Sequence, residues 1–369
     1  MPCMDFAEKD APLRLIPDIL KKTGPVLALD IGSGTVDALL ALPDQRPENW
    51  PKFVLPSPAR RIGALIREQT QASRSVWLYG TTMGGGFAEA VREQHAAGLT
   101  PAASPTAAAS LHDDPAQVTD MGVCLTEQCP PGHVPVCLAD YESGFWKALL
   151  SACGLPMPAL VLAAAQDHGR HADIGNREGR FRLWREMLTA SRGDPARWLF
   201  NDPPQACTRL RALHDCTGGP VADTAAAAVL GALAVPEIAR RSQRQGVTVV
   251  NAGNSHTVAF LVYREQVFGV YEQHTGLLNA ESLLADLKDF RLGWLPDEAV
   301  RQRGGHGCMF LPPLPPEAEG FMPTFVLGPQ RNILQGHAQF VAPYGDMMVA
   351  GCHGLLFGLS LALQGKRLA

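Results

Sequence analysis

No stretch of this sequence has the 18 or more consecutive apolar residues that read as a membrane-spanning helix; the nearest, residues 224–235, is Ala-rich and reads as a buried helix. An excess of one charge is missing too. Lys plus Arg number 32 and Asp plus Glu 36, a formal net charge of −4, so neither nucleic acid nor an anionic membrane surface is an expected partner. The first residues show no basic segment leading into an apolar core, so no secretory leader is expected. The nine cysteines are an odd number with no CxxC or CxxxC anywhere, and they read as reduced cytoplasmic thiols. Aromatic residues are sparse at 7%, yet 46% of the chain is hydrophobic, enough for a sizeable core. Gly (36) and Pro (30) are raised but short of a disordered composition, so a turn-rich globular chain of two or three domains is expected from 369 residues.

Hydrophobic patterning predicts strands at 26–29, 36–42, 53–55, 75–79, 136–139 and 159–164, then at 247–250, 256–263, 267–271 and 324–327. Helices are predicted at 59–72, 87–97, 144–152, 224–234, 280–290 and 347–363, with Asp223 as the cap of the fourth. Residues 98–135 carry few signals. Residues 170–220 are polar and Arg-rich, with Trp184 and Trp198 as packing anchors, and both stretches read as insertions.

Two segments repeat one pattern. VLALDIGSGTVDALLAL (26–42) lies without gaps on VTVVNAGNSHTVAFLVY (247–263), which puts Asp30 on Asn251 and Gly32 on Gly253. Each copy reads strand, polar residue, Gly-containing turn, strand. Successive backbone N–H groups in such turns make a nest for phosphate oxygens, and a carboxylate beside one suits Mg²⁺. Two unrelated hairpins are the plainer alternative.

The order of DIGSGT, a second glycine turn, a late GPQR turn and a terminal helix resembles the superfamily of actin, Hsp70 and sugar kinases. A closer resemblance is to a small family within it, on DIGxGTxD, LPSP (55–58), QDHG (166–169), GN-x-HT (253–257), GGHG (304–307), GPxR (328–331) and GDMM-x-x-GC-x-GLL (345–356). Its members are labelled pyruvate formate-lyase activating enzymes. A radical-SAM activase of that kind needs a CxxxCxxC run to hold its cluster, and this sequence has none.

The resemblance implies an α/β fold of two actin-like (ribonuclease H-like) domains with a cleft between them. The first would comprise 1–235 plus 348–369, with insertions near 98–135 and 170–220, and the second 236–347. It implies ATP and Mg²⁺ as ligands. Asp30, Gly32, Ser33, Gly34 and Thr35 would grip phosphate and metal from one side, and Asn251, Gly253, Asn254, Ser255 and Thr257 from the other. Gly328 and Arg331 would border the nucleoside. Asp167 would take the proton from an attacking hydroxyl or position water. Asn251, where the kinase and chaperone branches carry Asp, and Pro329, where they carry a second Gly, depart from the pattern.

Other residues stand out on their own. Asp37 interrupts a strand and either faces the cleft or lies on an exposed strand face. Thr81, Thr82 and Gly84–Gly86 either line the cleft or open a helix. His306 among three glycines is a candidate for ligand approach. His168 with His171, or His306 with His353 and Cys308, are candidate metal groups against the plainer structural reading.

The expected function is Mg-dependent ATP binding with phosphate transfer or hydrolysis, to a small-molecule or protein acceptor that the residues do not name. The alternatives are an ATP-gated activator of a redox or corrinoid enzyme, and a binding protein that has lost ATP chemistry. A homodimer is among the expected assemblies.

Overall fold

The computed structural model describes residues 11–171 and 174–364; Cys3 lies outside them. The described residues form sixteen strands. The first ten are β1 (Val26–Ile31), β2 (Thr35–Ala41), β3 (Lys52–Pro56), β4 (Val76–Gly80), β5 (Ala102–Ala103), β6 (Cys124–Leu125), β7 (Val134–Leu138), β8 (Leu160–Ala165), β9 (Leu199–Phe200) and β10 (Val221–Ala222). The rest are β11 (Val247–Ala252), β12 (His256–Tyr263), β13 (Gln266–His274), β14 (Gly307–Phe310), β15 (Thr324–Leu327) and β16 (Gln339–Phe340). Thirteen α-helices accompany them among the described residues. These are α1 (Ala11–Thr23), α2 (Pro58–Gln71), α3 (Ala88–Ala96), α4 (Pro105–Ala108), α5 (Pro115–Asp120), α6 (Ser143–Ala152), α7 (Asn176–Ser191) and α8 (Thr208–Thr217), then α9 (Thr224–Leu233), α10 (Pro236–Arg244), α11 (Ala280–Arg291), α12 (Asp297–Gln302) and α13 (Ala350–Leu363).

Two six-stranded sheets share one plan. The first has the order β3-β2-β1-β8-β10-β9 and the second β14-β13-β12-β11-β15-β16. In each, a run of antiparallel strands (β3-β2-β1; β14-β13-β12-β11) is followed by two parallel ones (β8 on β1 and β10 on β8; β15 on β11 and β16 on β15). This is the duplicated actin-like arrangement that the sequence resemblance implied. The repeat holds in register: Asp30 pairs with Asp37 across the first hairpin, and Asn251 with Val258 across the second. The central strands are apolar on both faces because helices cover both.

α9 and α13 pack face to face, and α13 also lies on β1, β2 and β8. Both helices are buried almost all round, so small residues set how near their backbones come. A Cβ on Gly354 would lie 1.9 Å from the Ala227 carbonyl oxygen, and one on Gly231 2.2 Å from that of Ala350. Asp223 caps α9 as expected, accepting from the Ala225 N–H at 3.0 Å.

Two stretches expected to be insertions differ in kind. Residues 98–135 join β4 and β7 in a third, parallel sheet, β6-β5-β4-β7, whose own core includes Ile66, Leu78, Phe87 and Val136. Its two central-to-edge strands are two residues long, too short for alternation to show in sequence. Residues 170–220 are not peripheral. They supply β9 to the first sheet, and α7 brings Trp184 against Trp198 (ring centroids 5.4 Å apart) and against Phe260 of β12 (5.8 Å). Both tryptophans are buried, so the anchors do hold, and they join the two halves. No helix among the described residues is long and apolar enough to cross a membrane.

Candidate active site in the inter-sheet cleft

The ends of the two central hairpins face a cleft of about 860 Å³. Each hairpin turn is closed by the same bond: the Gly32 N–H donates to the Thr35 carbonyl at 2.9 Å, and the Gly253 N–H to that of His256, also at 2.9 Å. The LPSP segment supports the first turn. Buried Ser57 donates its hydroxyl to the Ser33 carbonyl at 2.8 Å, donates its N–H to the Gly34 carbonyl at 3.2 Å, and caps α2 by accepting from Arg60. One residue thus fixes the turn and starts the following helix.

Asp30 and Asp37 sit directly opposite each other, so their side chains share one face of the hairpin. Each has a buried Oδ1 with no hydrogen-bond partner, and among the described residues neither makes an ion pair. Burial, and then Asp37 itself, hold Asp30 well above the usual carboxylate range. Asp37 is pushed up to about 7 by burial and by Asp346, against a hydrogen bond from Thr35. Two enclosed carboxylates with unused oxygens and no counter-charge are a donor set that suits a hard divalent cation such as Mg²⁺. Gly351, at the start of α13, leaves the space: a Cβ there would lie 2.0 Å from Asp30 Oδ2.

Asp30, Gly32, Ser33, Thr35, Asn251, Gly253, Asn254, Ser255, Gly328 and His306 all line the cleft. Gly34 stands at the turn tip, where its missing Cβ would be 3.3 Å from Asn254 Nδ2. Gly328, at φ +96°, lies against the Ala252 carbonyl and Asn251 Oδ1, an approach only glycine permits. The loop from Thr82 to Gly86 also borders the cleft.

Thr257 and Arg331 lie off the cleft, and Asp167 lines it with both oxygens engaged. Thr257 is fully buried and spends its hydroxyl on Thr275 Oγ1 at 3.0 Å, because strand alternation sends His256 to the cleft and Thr257 to the opposite face. Arg331 folds back onto the Gly328 carbonyl (3.4 Å) and over the Phe340 ring (5.4 Å) instead of lining the cleft. Asp167 is a structural turn residue: its oxygens accept the Gly169 N–H at 2.7 Å and the Leu210 N–H at 2.9 Å. Burial raises its pKa against those two bonds, and each oxygen already accepts one backbone N–H.

The sequence reasoning passed over a buried charge network. Arg180 of α7 donates from Nη2 to Asp223 at 2.9 Å, with Nη1 at 2.5 Å from the other Asp223 oxygen, and from Nε to Glu272 of β13 at 3.1 Å. It therefore ties the first sheet to the second. Burial opposes ionisation of Glu272, but Arg180 outweighs it and brings the carboxyl down to about 2. Arg209 makes a bidentate pair with Asp140 at 2.7 and 2.9 Å, also on the cleft wall. Glu272 was the legible signal, a charge inside an apolar strand; Arg180 is one of many arginines in a polar stretch.

The histidines regroup as well. His168 approaches His256 and His306, while His171 turns back to the His168 carbonyl at 3.0 Å. His353 packs at a tilt against Tyr344 (ring centroids 4.6 Å apart), the Cys308 N–H donates to Asp297 at 3.1 Å, and neither residue is in the group of ligand atoms around His306.

Among curated proteins no sequence matches this chain. Solved structures similar to it include a ROK family glucokinase from Streptomyces griseus in complex with glucose and AMPPNP (13% identity, 93% of this chain and 100% of that one, TM-score 0.32). A ROK hexokinase from Thermus thermophilus is also similar (12%, 92% and 99%, TM-score 0.29). So is an inorganic polyphosphate/ATP-glucomannokinase from Arthrobacter sp. strain KM (14%, 92% and 99%, TM-score 0.30). Residues 83–333 match the profile of a family described as "Putative pyruvate format-lyase activating enzyme (DUF1786)", and with more than half of its length matched, the chain belongs to that family.

Proposed function

We propose that this protein binds a nucleoside triphosphate, ATP, with Mg²⁺ in the cleft, and that it acts as a phosphotransferase or ATPase. What carries this reading is the Asp30–Asp37 pair, two carboxylates each with a buried, unpartnered oxygen at the root of one glycine turn, facing a second turn of the same build. Asp30 and Asp37 would hold Mg²⁺, which bridges phosphate oxygens and offsets their charge. Backbone N–H groups of residues 33–35 and 254–256 would receive the phosphates, and Gly328 would border the nucleoside. Closure of the halves would exclude water.

The activity named in the family's description is not part of this reading, because the sequence has no CxxxCxxC run of thiols. A second reading, a protein that holds nucleotide without transferring its phosphate, is favoured by the engagement of both Asp167 oxygens.

Calorimetry with Mg-ATP and a non-hydrolysable analogue tests the first claim. The native chain should give saturable heat and Asp30→Ala none. No heat from the native chain at millimolar nucleotide would overturn it. Phosphate release or transfer, followed over hours in the binding-competent protein, separates the two readings.

A further inference from the structure

Three of the short motifs in this sequence contain one histidine each: QDHG, GNSHT and GGHG. They are far apart in the chain and lie on both halves. His168 follows β8 of the first sheet, His256 opens β12, and His306 precedes β14 of the second. The fold brings them to one wall of the cleft, where a nitrogen from each lies within 4.8 Å of the others.

Glycines make this possible. His306 is 2% exposed, and a Cβ on Gly305 would meet Val300 at 2.6 Å, while one on Gly307 would meet Asp297 at 2.4 Å. The His306 N–H is fixed to the Glu272 carbonyl at 3.1 Å, which anchors the loop and aims the ring. The rings are not satisfied by the protein: His256 Nε2 and His306 Nδ1 are buried with no hydrogen-bond partner. Buried polar nitrogens are nearly always paired, so two orphans among these three adjacent rings ask for a ligand.

We propose that His168, His256 and His306 together hold one divalent transition-metal ion of the zinc or iron class, with a remaining coordination position open to the cleft.

Neutral imidazole is the binding form, so metal binding should weaken as pH falls. Imidazole nitrogens select zinc, iron, nickel or copper over Mg²⁺, so this site is chemically distinct from the Asp30–Asp37 pair. Glu272 is not a fourth ligand. Its oxygens are taken by Gln166 (2.7 Å), Arg180 (3.1 Å) and Trp184 (3.2 Å), so it stands behind the cluster as a fixed negative charge. His274 packs beside the cluster, its ring 4.7 Å from that of His256 and 4.8 Å from that of His306, but its nitrogens do not come within 4.8 Å of all three. Tetrahedral zinc with bonds of about 2.0–2.1 Å sets its nitrogens roughly 3.3 Å apart. The observed spread of up to 4.8 Å must shrink, and since His168 sits on one half and the other two on the second, the metal would draw the halves together.

The test uses the untagged full chain, stripped with chelator and titrated with Zn²⁺ by calorimetry and with Co²⁺ by visible absorption. One ion per chain is expected, with a tetrahedral cobalt spectrum. Affinity should fall at least about 100-fold in His168→Ala and in His306→Ala, and by less than about threefold in His274→Ala. Absence of stoichiometric binding to the native chain, or unchanged affinity in His168→Ala, would overturn the site. Should His306→Ala not fold, X-ray absorption on the native zinc form decides: three imidazole scatterers support the site and fewer refute it. Asp30→Ala should keep zinc and lose Mg-ATP heat, so failure of this inference and failure of the nucleotide reading are separately visible.

Discussion

Ser33 Oγ and Ser255 Oγ lie 2.7 Å apart, although 222 residues separate them in the chain. They are the tips of the two glycine turns, so the two halves of the molecule touch at the point where a phosphate would enter. Gln330 strengthens the second tip by donating to Asn254 Oδ1 at 3.3 Å.

Joining those tips should block the cleft. In Ser33→Cys/Ser255→Cys, oxidation is expected to form a disulfide linking the two turn peptides, found by mass spectrometry of a digest. Mg-ATP heat should vanish in the oxidised form and return with reductant. A cross-linked protein that binds nucleotide as well as the reduced one would show that the ligand does not pass between the tips.

Arg180 should be the most costly side chain to remove. Arg180→Met leaves the buried carboxylates of Asp223 and Glu272 without their partner, a loss of about 3–5 kcal/mol in urea unfolding. Because the arginine ties α7 to both sheets, hydrogen exchange should rise on α7 and β13 together. A loss below about 1 kcal/mol would mean the pair is compensated by other groups.

Gly354→Ala tests the α9–α13 contact. With the Ala227 carbonyl 1.9 Å from the new Cβ, the helices must move apart, at a cost of roughly 1–3 kcal/mol from overpacking. Ala substitution at exposed Gly144, where no atom lies within 4 Å of the new Cβ, should change Tm little and serves as the control.

His353 supplies a pH dependence. Its ring is buried between Tyr344 and Trp50 with Nε2 unpartnered, and burial, then Lys52, lower its pKa from 6.5 to about 3. The folded state therefore binds fewer protons than the unfolded chain between those values. Stability is unaffected above pH 6.5 and is lost progressively as pH falls from there towards 3. In His353→Phe the acid limb of a Tm–pH profile should be shallower than in the native chain, and an unchanged limb would contradict the assignment.

Much of the frame was legible because it depends on local patterns. The repeat at 26–42 and 247–263 marks both hairpins, since apolar runs broken by a polar residue and glycines encode strand, turn and strand directly. The Asp223 cap and the buried α9 follow from one residue and its alanine run. β13 was read too short because its end, Glu272 to His274, is polar, and only burial in the cleft makes a strand of it. β9 and β10 are two residues each, below what any periodicity can reveal. Thr257 and Arg331 matched motif positions, but a motif does not say which way a side chain turns.

By itself the sequence determined two similar hairpins, their glycine turns, the aspartate at the first, and the absence of a closely spaced thiol motif, because each is a matter of adjacent residues and short-range backbone geometry. The tertiary structure alone decided which distant groups meet. It set Arg180 between Asp223 and Glu272, and gathered His168, His256 and His306 from three separate turns. Those juxtapositions depend on how two sheets face one another, and long-range packing leaves no trace in the spacing of residues along the chain.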